Sequence, residues 1–180
     1  MRTLIVGTGR SGTKWMVETL NENGIAAAHQ TIRHAHVLGE PFKWPEAVEV
    51  IVSFEAVPLL PRLSCRRLLV VRNPDDVIGS WLKQGAFQDN MRSEYVAWSA
   101  VLDRWFPSVL QEHTPQDRAA HYWVVWNLHA AMYCREISRL DKVEGLFDGV
   151  QWHPPPVSSY PPADLRDPLR VVVEDVWAGF

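Results

Sequence analysis

Leu4-Ile5-Val6-Gly7-Thr8-Gly9-Arg10-Ser11-Gly12-Thr13-Lys14-Trp15 is the stretch on which the reading of this chain turns. The short apolar run from Leu4 to Val6 reads as a buried parallel strand. Glycines follow at 7, 9 and 12, and then a helical pattern with Trp15, Met16, Val17 and Leu20 apolar. A strand, a glycine-rich turn and a helix form a phosphate cradle. Glycines let successive N–H groups point into one hollow, and the helix N-terminus adds about half a positive charge there. Arg10 and Lys14 can supply full charges. The bland alternative is a turn that needs glycine only for its shape.

Working outward, the helix is expected over residues 12–22, with Asn23-Gly24 ending it. Ile25 to Ala28 reads as a second strand, with His29 at its C-terminal end, where ligands gather in open parallel sheets. Val48 to Phe54 reads as a third strand, and Leu68 to Val71 as the clearest buried one. Arg72-Asn73-Pro74-Asp75-Asp76 closes it, with Asn73 as helix cap and Pro74 in the first turn. A helix is expected over 93–106. Another starts at Thr114-Pro115-Gln116-Asp117 and carries an apolar stripe from Ala119 through Trp126 and Tyr133 to Ile137 and Leu140. Residues 153–168 hold six of the 13 prolines and read as a linker or lid. Leu169 to Val173 reads as a last strand. Strands alternating with helices imply a single α/β domain over residues 1–180, three layers with a central parallel sheet, of the P-loop nucleoside triphosphate hydrolase type.

Composition bounds the partners. At 180 residues, 47% hydrophobic and net charge −3, the chain has material for one core and no bulk attraction for nucleic acid or anionic membrane. No run approaches a membrane span, and the apolar residues before Gly7 are too few for a signal peptide. Cys65 and Cys134 sit in no metal-type spacing. The expected compartment is the cytoplasm. Most of the nine tryptophans are expected in the core or the walls of a pocket.

Two phosphate chemistries compete. Gly7-x4-Gly12 fits the spacing of a Walker loop, which also needs Lys then Ser/Thr after its second glycine. Here the order is Thr13 then Lys14. A Walker enzyme further wants an acid at a strand end to hold Mg²⁺, whereas Leu68–Val71 runs into Arg72 and only Glu55 offers a substitute. Arg10-Ser11-Gly12-Thr13-Lys14-Trp15 closely resembles the 5′-phosphosulfate loop of the sulfotransferase family. Arg72 through Ser80 resembles that family's 3′-phosphate motif, in which an Arg and a Ser eight positions apart hold the phosphate. Tyr122-Trp123-Val124-Val125-Trp126-Asn127 is similar to a helix of bacterial members, and Val172-Val173-Glu174-Asp175 to a strand ending in Glu-Asp.

The resemblance implies a donor, 3′-phosphoadenosine 5′-phosphosulfate, and metal-free transfer of its sulfuryl group to a hydroxyl or amine of a small-molecule or glycan acceptor. Arg10 would hold the phosphosulfate, with Ser11, Gly12, Thr13 and Lys14 adding donors, Trp15 packing on the adenine, and Arg72 and Ser80 holding the 3′-phosphate. The acceptor proton would pass to His29, with His34, His36 and Glu40 in reserve. Where relatives pair His with Glu, this chain has Gln30. After Asp175 it supplies none of the basic, glycine-rich segment that many relatives fold over the 3′-phosphate, leaving Arg166 and Arg170 as the available cations. Loops at 30–47, 83–92 and 150–168, with Phe42, Trp44, Phe87, Trp152 and Tyr160, are the expected acceptor walls. The other readings are an NTP-dependent P-loop kinase or hydrolase and a non-catalytic nucleotide-binding protein.

Overall fold

A computed structural model describes residues 2–88, 93–154 and 160–180, and the side chains of residues 93–95 lie outside what it describes. Five parallel strands form one sheet. They are β1 (Thr3–Val6), β2 (Ala27–His29), β3 (Val50–Val52), β4 (Arg66–Val71) and β5 (Glu136–Arg139), in the order β2-β3-β1-β4-β5. Helix α1 (Thr13–Glu22) carries the chain from β1 across β3 to β2. A five-residue helix α2 (His34–Leu38) precedes β3, and 3₁₀ turns over Phe54–Arg62 lead to β4. Helices α3 (Pro74–Lys83), α4 (Ser93–Trp105), α5 (Pro107–Leu110) and α6 (Pro115–Tyr133) separate β4 from β5, and α7 (Asp167–Ala178) ends the chain.

Strand alternation divides the core in two. Ile5, Val50, Val52, Leu68 and Val70 point to one face, against Met16, Val17 and Leu20 of α1 and against Leu140 and Val143. Leu4, Val6, Ile51, Leu69 and Val71 point to the other, which is thick with α3, α6 and α7. Leu4, Ile5 and Val6 are wholly buried, each worth roughly 1.5–3 kcal/mol in water-excluded surface. Trp123, Trp126 and Tyr122 of α6 are the largest fully buried side chains, and Tyr122 and Trp126 sit among Trp81, Phe87, Trp98 and Phe106. Among the described residues no helix is long and apolar enough to cross a membrane.

The parallel sheet flanked by helices is as expected; two element assignments are not. The stripe read as one helix to Leu140 breaks after Tyr133. Cys134 is extended (φ −94°, ψ 128°), and Ile137 belongs to the fifth strand, β5. The run Leu169–Val173 is helical, within α7: Leu169 and Val173, four apart, are buried while Val171 and Val172 face solvent. Asp167-Pro168 starts that helix, and its period of four overrides the β-branched composition.

The topology also locates a crevice. From β1 the chain departs toward β2 and β3; from β4 it departs toward β5. Connections that diverge from adjacent strands leave an opening between them at their C-terminal ends. The loops after β1 and β4, with Arg10 and Arg72, flank it.

Candidate nucleotide site

The loop after β1 is held rigid from below. The Gly9 N–H donates to the Tyr122 hydroxyl at 3.1 Å, and Trp126 Nε1 donates to the carbonyls of Gly7 and Phe54, each at 3.2 Å. Burial pushes the Tyr122 phenol well above its ordinary pKa, so it stays neutral. The Thr8 and Ser11 hydroxyls lie 2.7 Å apart, and the Ser11 N–H donates to the Thr8 carbonyl at 3.1 Å. Ser11 therefore shapes the loop rather than offering its side chain to a ligand. A Cβ on Gly9 would stand 2.2 Å from Trp81 Cζ2, so only glycine lets the loop lie on that ring. Arg10 and Gly12 are both left-handed, at φ 72° and 78°. For an arginine that conformation stores roughly 1 kcal/mol or more of strain, the mark of a backbone shaped for a ligand.

Helix α1 begins with its donors open. Gly12 caps it with no side-chain hydrogen bond, and no acid stands in its first turn. The first-turn N–H groups and the positive end of the helix dipole face the crevice uncompensated.

Arg72 and Ser80 meet this loop directly. Arg72 Nη1 donates to the Arg10 carbonyl at 3.0 Å, and Arg10 Nε donates to Ser80 Oγ at 2.8 Å. Arg72 is only 9% exposed and also pairs with Asp76, one turn into α3, at 3.3 Å. The eight-residue spacing places Arg72 at the end of β4 and Ser80 two turns into α3, on the side facing Arg10.

His29 ends β2 at the mouth of the same pocket, with its Nε2 3.0 Å from Thr13 Oγ1. Burial, reinforced by the charge of Lys14, lowers its pKa below the ordinary imidazole value, so it is neutral at pH 7. Gln30 follows at φ 49°, with its N–H donating to the Val52 carbonyl at 2.9 Å.

A cavity of about 770 Å³ joins these groups. Gly9, Arg10, Gly12, Thr13, Lys14, Trp15, His29, Arg72 and Ser80 all line it, with Glu18 and Gln30. The volume lies within the range of about 300–1,000 Å³ typical of ligand pockets. Lys14 reaches its rim, 81% exposed and 3.7 Å from Glu18. Trp15 gives one face to the pocket and packs on Trp152, ring centres 5.5 Å apart.

Several expected residues stand elsewhere. His34, His36 and Glu40 do not line the cavity: His34 lies 3.6 Å from Glu55, and His36 Nδ1 accepts from the Arg33 N–H at 3.0 Å. Arg166 pairs with Glu112 and Asp117, and Arg170 donates to the Ala163 carbonyl at 3.1 Å; neither lines the pocket. The α3 side of the pocket is walled instead by Tyr160, which presses on that helix so closely that a Cβ on Gly79 would be 2.5 Å from its ring. Phe87 and Trp44 are core residues. Residues 89–92 and 155–159 of the expected acceptor loops lie outside the described residues.

Tyr122, Trp126 and Trp81 are not among the site residues expected from the sequence, and Tyr160, expected as an acceptor wall, lines this pocket beside Ser80. For the first three, the signal was a run of aromatics on helices that follow the glycine loop by 70–120 residues, which reads as core. Among the described residues no group of three or more His, Cys, Asp or Glu is placed to hold a metal ion. Compared with protein-family models, curated proteins and solved structures, the chain matches none of them.

Proposed function

We propose that this chain is a sulfotransferase that uses 3′-phosphoadenosine 5′-phosphosulfate. The observation that carries the reading is the convergence of Arg10, Arg72 and Ser80 on one cavity, over an α1 N-terminus free of acids. Two guanidinium groups, a hydroxyl and open backbone donors are a donor set for two phosphate-type anions. The strand ends in Arg72 rather than an acid, which favours an anion over a nucleotide-bound Mg²⁺ there.

In this reading, Arg10 and the first-turn N–H groups of α1 hold the 5′ end. Arg72 and Ser80 hold the 3′-phosphate, and Trp15 lies against the adenine. The donor supplies an activated sulfur: a bond forms from the acceptor oxygen or nitrogen to sulfur, and the sulfur–oxygen bond to the 5′-phosphate breaks. Arg10 stabilises the negative charge left on that phosphate. With Nε2–H donating to the Thr13 hydroxyl, His29 keeps its Nδ1 lone pair for the acceptor proton. Thr13 then positions the imidazole and turns its own O–H toward the donor.

Thermal shift separates this from the alternatives. Stabilisation by 3′-phosphoadenosine 5′-phosphate without response to ATP–Mg²⁺ is expected. Response to ATP–Mg²⁺ alone would make the chain a P-loop kinase or hydrolase. His29→Ala is expected to abolish sulfuryl transfer and leave nucleotide binding near normal. In the native chain, transfer should fall only in acid, below about pH 6.5, as the imidazole gains its proton; the lowered pKa extends activity downward. An unchanged rate in the variant removes His29 from the mechanism.

A further inference from the structure

A second cavity, of about 310 Å³, opens at the N-terminal ends of β4 and β5. It lies at the far end of β4 from Arg72, roughly 20 Å away at about 3.3 Å per residue. Arg66, Arg67 and Arg135 line it, with Tyr133, Cys65 and Glu136. Its lining holds three guanidinium groups and one carboxylate, and a second carboxylate, Asp148, acts on Arg66 from nearby, which still leaves a positive charge over on a chain whose net charge is −3.

The internal partners account for part of this set. Arg66 pairs with Glu136 through Nε at 2.8 Å and donates to the Leu146 carbonyl at 3.2 Å. Arg67 uses Nη1 on the Leu60 carbonyl at 2.9 Å. Neither the Arg135 guanidinium nor the Tyr133 hydroxyl hydrogen-bonds to a described residue. Burial pushes the Cys65 thiol up, so it is protonated at neutral pH and adds a weak donor rather than a nucleophile.

We infer that this cavity is a binding site for a small oxyanion of the phosphate or sulfate type, independent of the nucleotide pocket. The guanidinium fork matches such oxygens two at a time, and Tyr133 offers a third donor. The volume, near the lower bound for ligand pockets of about 300 Å³, limits the occupant to an inorganic anion or a small ester of one.

The test is an amide chemical-shift titration of the whole ¹⁵N-labelled chain with inorganic phosphate, against chloride at matched ionic strength. Saturable shifts at residues 65–67 and 133–136 are expected with phosphate and not with chloride. Arg135→Gln should weaken them about tenfold, Arg135→Lys less, and Arg10→Gln not at all. Arg135 is exposed, so these variants keep the fold, which the remaining amide spectrum checks. Shifts that fail to saturate, that chloride reproduces, or that persist at full affinity in Arg135→Gln overturn the site, as does their absence in the native chain. Nucleotide binding in Arg135→Gln reports separately on the first pocket.

Discussion

Two strand-to-helix junctions stand side by side at the C-terminal edge of the sheet, and they treat negative charge in opposite ways. After β1, helix α1 starts with no side-chain cap and no acid in its first turn. After β4, helix α3 starts with Asn73 accepting from the Asp75 N–H at 2.9 Å, and with Asp75 and Asp76 in the first turn. The positive pole of α3 is already satisfied by its own residues, and Asp75 further accepts the Ala163 N–H at 3.1 Å. The first junction offers backbone donors to an anion. The second offers only side chains, Arg72 before the helix and Ser80 within it. A shared strand–turn–helix pattern therefore does not fix the chemistry; the residues of the first helical turn do.

Three substitutions sharpen or break this contrast. Gly9→Ala strikes the backbone junction hardest. Its Cβ meets Trp81, itself wedged against Phe54, Phe87 and Tyr122, so the loop must lift. A loss of about 3 kcal/mol is expected in urea unfolding, with nucleotide binding lost. Tyr122→Phe removes the hydroxyl that accepts the Gly9 N–H. It should cost about 1.5 kcal/mol and weaken binding at the 5′ end more than at the 3′ end, read by comparing nucleotides with and without the 3′-phosphate. Asn73→Ala removes the cap of the second junction. About 1 kcal/mol of stability should go, with nucleotide affinity nearly unchanged, since no anion is held by that helix end. If Asn73→Ala weakened the nucleotide as much as Tyr122→Phe, the contrast would fail.

The first junction was legible in the sequence because its signals are local: an apolar run, glycines at fixed offsets, a helix stripe. The second was legible for the same reason, in the Asn73-Pro74-Asp75 start. The fifth strand was hidden because Ile137 and Leu140 continue the three- and four-residue spacing of α6, and no Gly or Pro marks the break at Cys134. The last helix was misread because Val171-Val172-Val173 has strand composition, while Leu169 and Val173 carry the burial. The partners of the glycine loop, Tyr122 and Trp126, lie more than a hundred residues from it in the chain. Tertiary packing alone brings their polar tips to its backbone. The spacing of Arg72 and Ser80 was readable, but their joint attachment to Arg10 was not. Nor was the engagement of Arg166 and Arg170 by Glu112, Asp117 and the Ala163 carbonyl, which removes them from the pocket.

The most direct measurement is calorimetric titration of the native chain with 3′-phosphoadenosine 5′-phosphate and with adenosine 5′-phosphate, repeated on Ser80→Ala. If Arg72 and Ser80 hold a 3′-phosphate, its removal should weaken binding at least about tenfold, and the gap should narrow in Ser80→Ala. Equal affinity for the two nucleotides in the native chain would contradict the account.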